Sequence, residues 1–436
     1  MTDDRAFGFR TRALHAGTPP DRTSGSRALP INLTSSYVFE SAEKAADLYA
    51  LRTYGDVYSR ISNPTVAAFE EKMASLEGGL GAVAAASGQA AQMVAILTVA
   101  QSGDHIVASA NLYGGTITQF SVTLKRLGIE TTFVQGGDPG AMRAAVKPNT
   151  KAMYAETIGN PIGTVADLQA IADAAHDAGV PLIIDNTFAS PYLCRPIEHG
   201  ADVVVHSATK FIGGHGTVIA GVLVESGTFD WAAGRHPLIS RPSPGYHGLN
   251  FAETFGEYGY LMRARAEVLR DVGACLSPMN AWLLVQGLET LAIRMDAHVS
   301  GARRVAEFLA SHPDVAWVKY AGLPDNPSHA LANRYLPRGA GSIFTFAPRG
   351  GREAAVAFIE ALEIWSHLAN VGDAKSLVIH PMSTTHQQLT EEEAAGAGIT
   401  PDMIRLSVGL EDVDDLIWDL EQGLAAVRRA AAATIR

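Results

Sequence analysis

Lys210 lies in a short polar turn, SATKFIGGHG, between two apolar runs at 202–205 and 219–224 that read as strands. An amine held between apolar strands loses solvation, its pKa falls, and it becomes a nucleophile able to form an imine with a carbonyl group. Most turn lysines are solvated surface groups instead. The neighbours therefore decide. Ser207 and Thr209 supply hydroxyls beside the amine, and His206 and His215 are the other titratable groups close by. Asp185 ends a second apolar run, LIIDN. Ser87, Gly88 and Gln89 begin a segment with helical character, whose opening N–H groups suit an anion. Tyr113, in ANLYGGT, offers a ring that can stack. Each of these features alone has an ordinary explanation, as a helix cap, a common helix start, a packed loop aromatic or a flexible turn.

The elements that must position these groups follow one pattern. From Asn63, a plausible cap before Pro64, an amphipathic run places Phe69, Met73 and Leu76 on one face and ends at Gly78 and Gly79. Short apolar strands then alternate with amphipathic helices as far as the run after Lys210. That alternation predicts an α/β fold with a mostly parallel sheet covered by helices. Ligands of such sheets bind at the carboxyl ends of the strands. Ser87, Gly88, Tyr113, the loop 156–160, Asp185, Asn186 and the segment 207–210 all follow predicted strands. A lysine to hold an aldehyde, a carboxylate to keep a pyridine nitrogen protonated and donors for a phosphate are together what pyridoxal phosphate requires.

The remaining sequence narrows the function class. With a net charge of −11, the chain of 436 residues lacks the positive potential that nucleic acid or an anionic membrane attracts. Its 47% hydrophobic and 18% charged residues describe a globular protein acting on small molecules. Two distant cysteines, Cys194 and Cys275, fit neither a disulfide framework nor a structural metal site, so no metal is expected. The opening residues lack a signal-peptide core and no run approaches a membrane span, which predicts a cytoplasmic protein. Residues 1–62 read as an irregular arm that docks on a neighbouring subunit. Residues 63–285 read as the cofactor-binding α/β domain and 286–436 as a smaller α+β domain.

The residues also resemble a known family. VVHSATKFIGGHGTVIAGVLV is similar to the cofactor-lysine segment of the Cys/Met-metabolism pyridoxal phosphate enzymes. The likeness extends through YSRISNPT at 58–65, SGQAA at 87–91, YGGT at 113–116, ETIGNP at 156–161, DNTFASPY at 185–192 and RLSVGLEDVDDL at 405–416. ETIGNP, the insertion SPGYHGLNF and NVGDAKSLVIHP at 370–381 resemble the O-acetylhomoserine sulfhydrylase branch. Many methionine γ-lyases place a cysteine where this chain has Gly115. Ala208 departs from the family's common leucine.

The resemblance implies a fold type I pyridoxal phosphate-dependent transferase. Lys210 would be the imine-forming lysine and proton shuttle, Asp185 the partner of the ring nitrogen, and Tyr113 the stacking ring and acid–base group. Ser87, Gly88, Gln89, Ser207 and Thr209 would hold the phosphate, joined by Tyr58 and Arg60 reaching into a neighbouring subunit. Arg405 would clamp the substrate carboxylate, with Asn160 and Asn370 beside it. The implied reaction is γ-replacement on O-acetyl-L-homoserine by sulfide or a small thiol such as methanethiol, a step of methionine biosynthesis, in a homotetramer. Cystathionine γ-synthase and γ-lyase activities are the alternatives within the family. A non-catalytic sulfur-carrier or binding protein is the alternative outside it, and the joint presence of Lys210, Asp185, Tyr113 and Arg405 disfavours that reading.

Overall fold

A computed structural model describes residues 6–385, 387 and 398–434. The first five residues of the expected arm, and residues 386, 388–397 and 435–436 of the expected second domain, lie outside the described residues.

A seven-stranded sheet positions the site. Its strands are β1 (Gly81–Ala85), β2 (His105–Ser109), β3 (Glu130–Val134), β4 (Thr150–Glu156), β5 (Leu182–Asp185), β6 (Val203–His206) and β7 (Gly221–Glu225). They stand in the order β1-β7-β6-β5-β4-β2-β3. The run from β6 to β3 is parallel, while β7 pairs antiparallel with both β6 and β1. Alternation of apolar runs reports that a strand is buried on both faces but not which way it runs, so the reversal of β7 is a tertiary result. Helices cover both faces and divide the apolar side chains into two core clusters.

Register explains why the loops converge. Glu156 is opposite Asp185, and Asp185 is opposite Val205, so the carboxyl ends of β4, β5 and β6 are level. The segments leaving them meet on one edge.

The helix Pro64–Glu77 begins and ends as its residues dictate. Asn63 accepts the N–H groups of Thr65 and Val66, Pro64 occupies the first turn, and Gly78 closes the helix in the left-handed region at φ 82°. Phe69, Met73 and Leu76 are fully buried. The arm before it differs from the irregular segment its composition predicts, because it contains two short helices, Phe9–His15 and Ala42–Tyr49. The first is too short to show a period, and the buried Lys72 fixes it by donating to the Ala13 carbonyl at 2.7 Å.

A second sheet, in the order β10-β11-β12-β9-β8, comprises β8 (Val315–Lys319), β9 (Ile343–Pro348), β10 (Ser366–His367), β11 (Leu377–Ile379) and β12 (Ile404–Ser407). It is antiparallel apart from the β10–β11 pair. The helical run from 261 is interrupted before Pro278 and again at Thr290. Its last segment, Leu291–Ser311, packs on β8 and on the terminal helix Val413–Thr434.

Candidate active site

The sheet edge opens into a cavity of about 290 Å³. Eleven residues expected from the sequence line it: Ser87, Gly88, Gln89, Tyr113, Asn160, Asp185, Ser207, Thr209, Lys210, Asn370 and Arg405. Tyr58 and Arg60 do not. They pack on each other, the guanidinium carbon 5.3 Å from the tyrosine ring centroid, and Arg60 donates to the Arg270 carbonyl at 2.5 Å.

Lys210 projects from the turn after β6. The turn is fixed by the Ser207 N–H donating to Thr187 Oγ1 at 2.8 Å and by the Lys210 N–H donating to the Ser207 carbonyl. Lys210 Nζ donates to Asn370 Oδ1 at 2.5 Å. Burial, and then the charge of Arg405, lowers the amine from the ordinary 10.5 to about 8.

The start of a helix lines the same cavity as this lysine. Ser87 caps the helix Gly88–Val99 by accepting the Ala90 N–H at 3.1 Å, and the other N–H groups of the first turn have no acceptor within the helix. A Cβ at residue 88 would lie 2.6 Å from Ser207 Cβ, so the helix start and the turn can meet this closely only at a glycine. The Thr209 hydroxyl is engaged by Ala220, donating to its carbonyl at 3.1 Å and accepting its N–H at 3.0 Å.

Asp185 ends β5 and accepts the Thr187 N–H at 2.9 Å. Beside it Glu156, which was singled out only as part of a loop, lies buried in the wall. Burial raises the pKa of both carboxyls, and for Glu156 the charge of Asp185 adds to that rise. A buried acid pair of this kind is stabilised by a cation, and a protonated pyridine nitrogen is one. Gln92, also unforeseen, joins the walls: it donates to Gln89 Oε1 at 2.5 Å and to Gln119 Oε1, and accepts from Tyr154 and Thr116. Its spacing three residues after Gln89 on a helix was the only hint in the sequence.

Arg405, on β12, enters from the second sheet and is 4% exposed. Its guanidinium donates to Asn160 Oδ1 at 3.1 Å and to the Asn370 carbonyl at 3.3 Å. Burial lowers its pKa to about 10, which leaves it charged at neutral pH. Its bonded partners are neutral oxygens, so its charge remains available to a carboxylate. Tyr113 is 44% exposed at the rim, and its N–H donates to Glu156 Oε1 at 2.6 Å.

A depressed amine, an acid pair that suits a ring cation, and an anion cradle fit pyridoxal phosphate. Comparison with known proteins agrees. The family described as Cys/Met metabolism PLP-dependent enzyme matches residues 10–425. The chain belongs to that family. It is 51% identical to O-acetyl-L-homoserine sulfhydrylase 1 of Thermus thermophilus over 96% of this chain and all of that protein. It is also 51% identical to the homocysteine synthase of Schizosaccharomyces pombe, over 95% of this chain and 98% of that one. A Campylobacter jejuni crystal structure, described as a putative O-acetylhomoserine (thiol)-lyase with a pyridoxyl-lysine monophosphate, superposes with a TM-score of 0.94. It is 41% identical and covers 96% of this chain and all of its own. The protein is thus a pyridoxal phosphate-dependent enzyme. Among the described residues no helix is long and apolar enough to cross a membrane.

Proposed function

We propose that this enzyme replaces the acetate of O-acetyl-L-homoserine with sulfide or a small thiol such as methanethiol, releasing L-homocysteine or L-methionine and acetate. The carrying observation is Arg405, a buried guanidinium with only neutral partners, in the cavity that holds the Lys210 amine. The identities with named sulfhydrylases support the same reading.

The phosphate would lie between the start of the helix Gly88–Val99, with Ser87 and Gln89, and the hydroxyls of Ser207 and Thr209. Thr209 would exchange its bond to Ala220 for one to the phosphate. Asp185 would hold the ring nitrogen protonated and Tyr113 would cover the ring. When bound, the cofactor supplies an imine carbon and an electron sink for charge formed at the substrate's α carbon. Arg405 and Asn160 would fix the substrate's α-carboxylate, which orients its Cα–H and Cβ–H bonds. Lys210, uncharged and held by Asn370, would take the proton from Cα, then move a proton at Cβ and return one at the end of the cycle. Tyr113 would assist as the acid–base group at the rim.

Tyr58, which is exposed, and the half-buried Arg60 would serve the phosphate of a neighbouring subunit, which makes at least a dimer necessary and a homotetramer of such dimers our reading. Residues 1–62 would be the arm of that contact, 63–285 the cofactor domain and 286–436 the second domain, in a cytoplasmic enzyme. Incubation of the holoenzyme with O-acetylhomoserine plus sulfide, plus cysteine, or with no thiol tests the reaction. Homocysteine from the sulfide arm is expected. Cystathionine from the cysteine arm, or 2-oxobutanoate without thiol at a comparable rate, would replace this reading with a γ-synthase or a γ-lyase.

A further inference from the structure

One carboxylate joins the two sides of the cavity. Glu156 ends β4 and is 7% exposed, and its two oxygens serve different loops. Oε1 accepts the Tyr113 N–H at 2.6 Å and Oε2 accepts the Asn160 N–H at 3.1 Å. Tyr113 follows β2 and Asn160 follows β4, and these strands are neighbours. From Asn160 the bonding continues. Its Oδ1 accepts from Arg405, Arg405 donates to the Asn370 carbonyl, and Asn370 Oδ1 accepts from Lys210 Nζ. A hydrogen-bonded path thus runs around the cavity from the rim tyrosine to the lysine, with Glu156 as its only carboxylate.

We propose that Glu156 is a positioning residue that sets the Tyr113 loop and, through Asn160, the Arg405 guanidinium, so that cofactor ring and substrate carboxylate are held in register. The chemistry of the group supports this. The two oxygens of Glu156 each accept a backbone N–H, whereas a carboxamide presents one acceptor and one donor. Glutamine at 156 would aim an N–H at one of these two backbone N–H groups and leave it unpaired. A buried unpaired N–H is costly, so the loop that carries it moves. Aspartate keeps both acceptor oxygens but is one methylene shorter and reaches one loop only. The inference rests on the function proposed above only for the identity of the substrate.

The test uses the holoenzyme of Glu156→Gln, Asn160→Ala and the double variant. Glu156→Gln is expected to raise KM for the amino-acid substrate about tenfold, to leave KM for sulfide unchanged, and to weaken the induced circular dichroism of the bound cofactor. Asn160→Ala is expected to raise the amino-acid KM with the dichroism retained. Because Glu156 would act through Asn160, the KM of the double variant should match the worse single variant, not the product of the two rises. A multiplicative double variant, or Glu156→Gln with native KM and native dichroism, overturns the proposal. If Glu156→Gln does not fold, Glu156→Asp carries the test, with the same two changes expected and native values overturning it. The dichroism needs no substrate. A wild-type protein that makes no homocysteine from O-acetylhomoserine and sulfide would therefore refute the proposed reaction while leaving this inference open to its own test.

Discussion

Stripped of its cofactor, the protein should recapture pyridoxal phosphate at a rate that climbs with pH, is half-maximal at about pH 8 and levels above it. The amine of Lys210 must be uncharged to attack the aldehyde, and burial lowers its pKa from 10.5 to about 8, with Arg405 as the second cause. At pH 7 an amine of pKa 8 is uncharged about one time in ten, and one of pKa 10.5 about once in three thousand. The fold thus raises the reactive population roughly 300-fold at neutral pH. Stopped-flow absorbance of the apoenzyme mixed with cofactor, scanned between about pH 6 and pH 11, gives the midpoint directly. Arg405→Met provides the internal check. Removing the guanidinium should move the midpoint upward, yet well short of 10.5, because burial is the larger cause. A rate still rising steeply toward pH 10.5, or a midpoint that Arg405→Met leaves in place, would refute the argument.

Two further outcomes follow from buried contacts. Gly88→Ala would place a Cβ 2.6 Å from Ser207 Cβ and 2.8 Å from Ser207 Cα, so backbone must separate at the proposed phosphate cradle. Cofactor affinity, measured by fluorescence titration, should fall by about tenfold or more, ~1.4 kcal/mol, while the fold is retained; unchanged affinity would remove Gly88 from the cradle. Lys72 is fully buried, bonded to the Ala13 carbonyl and Thr18 Oγ1, and lowered to about 8 by burial. Its folded pKa lies below the unfolded one, so its cost is full below pH 8 and is relieved as pH rises from about 8 to 10.5. That cost is at most about 3 kcal/mol and is offset in part by its two hydrogen bonds. Thermal unfolding of Lys72→Met should therefore gain less stability than the native chain over that pH interval, and parallel profiles would contradict this.

Much of the site was legible because catalysis of this kind uses residue types that are uncommon where they stand. A lysine between apolar runs and an aspartate ending LIIDN stand out against their strands, and strand ends in an alternating chain share one edge, whereas the role of Arg405 was implied only by the family resemblance. Local chemistry was equally readable, since the cap at Asn63 and the left-handed Gly78 act within a few residues of themselves. Other features depend on contacts across the chain and leave no local mark. The reversal of β7 is decided by its partners, not by its apolar pattern. Glu156 acquires its position from an N–H 43 residues earlier, and Arg405 from an asparagine 245 residues away. Gln92 resembles any helical glutamine until four partners close around it. The sequence by itself determined which chemistry is present, because side-chain type sets acid, base and nucleophile. Only the tertiary structure decided how reactive each group is, because desolvation and neighbouring charge, which move Lys210 to about 8, exist only once the strands are packed.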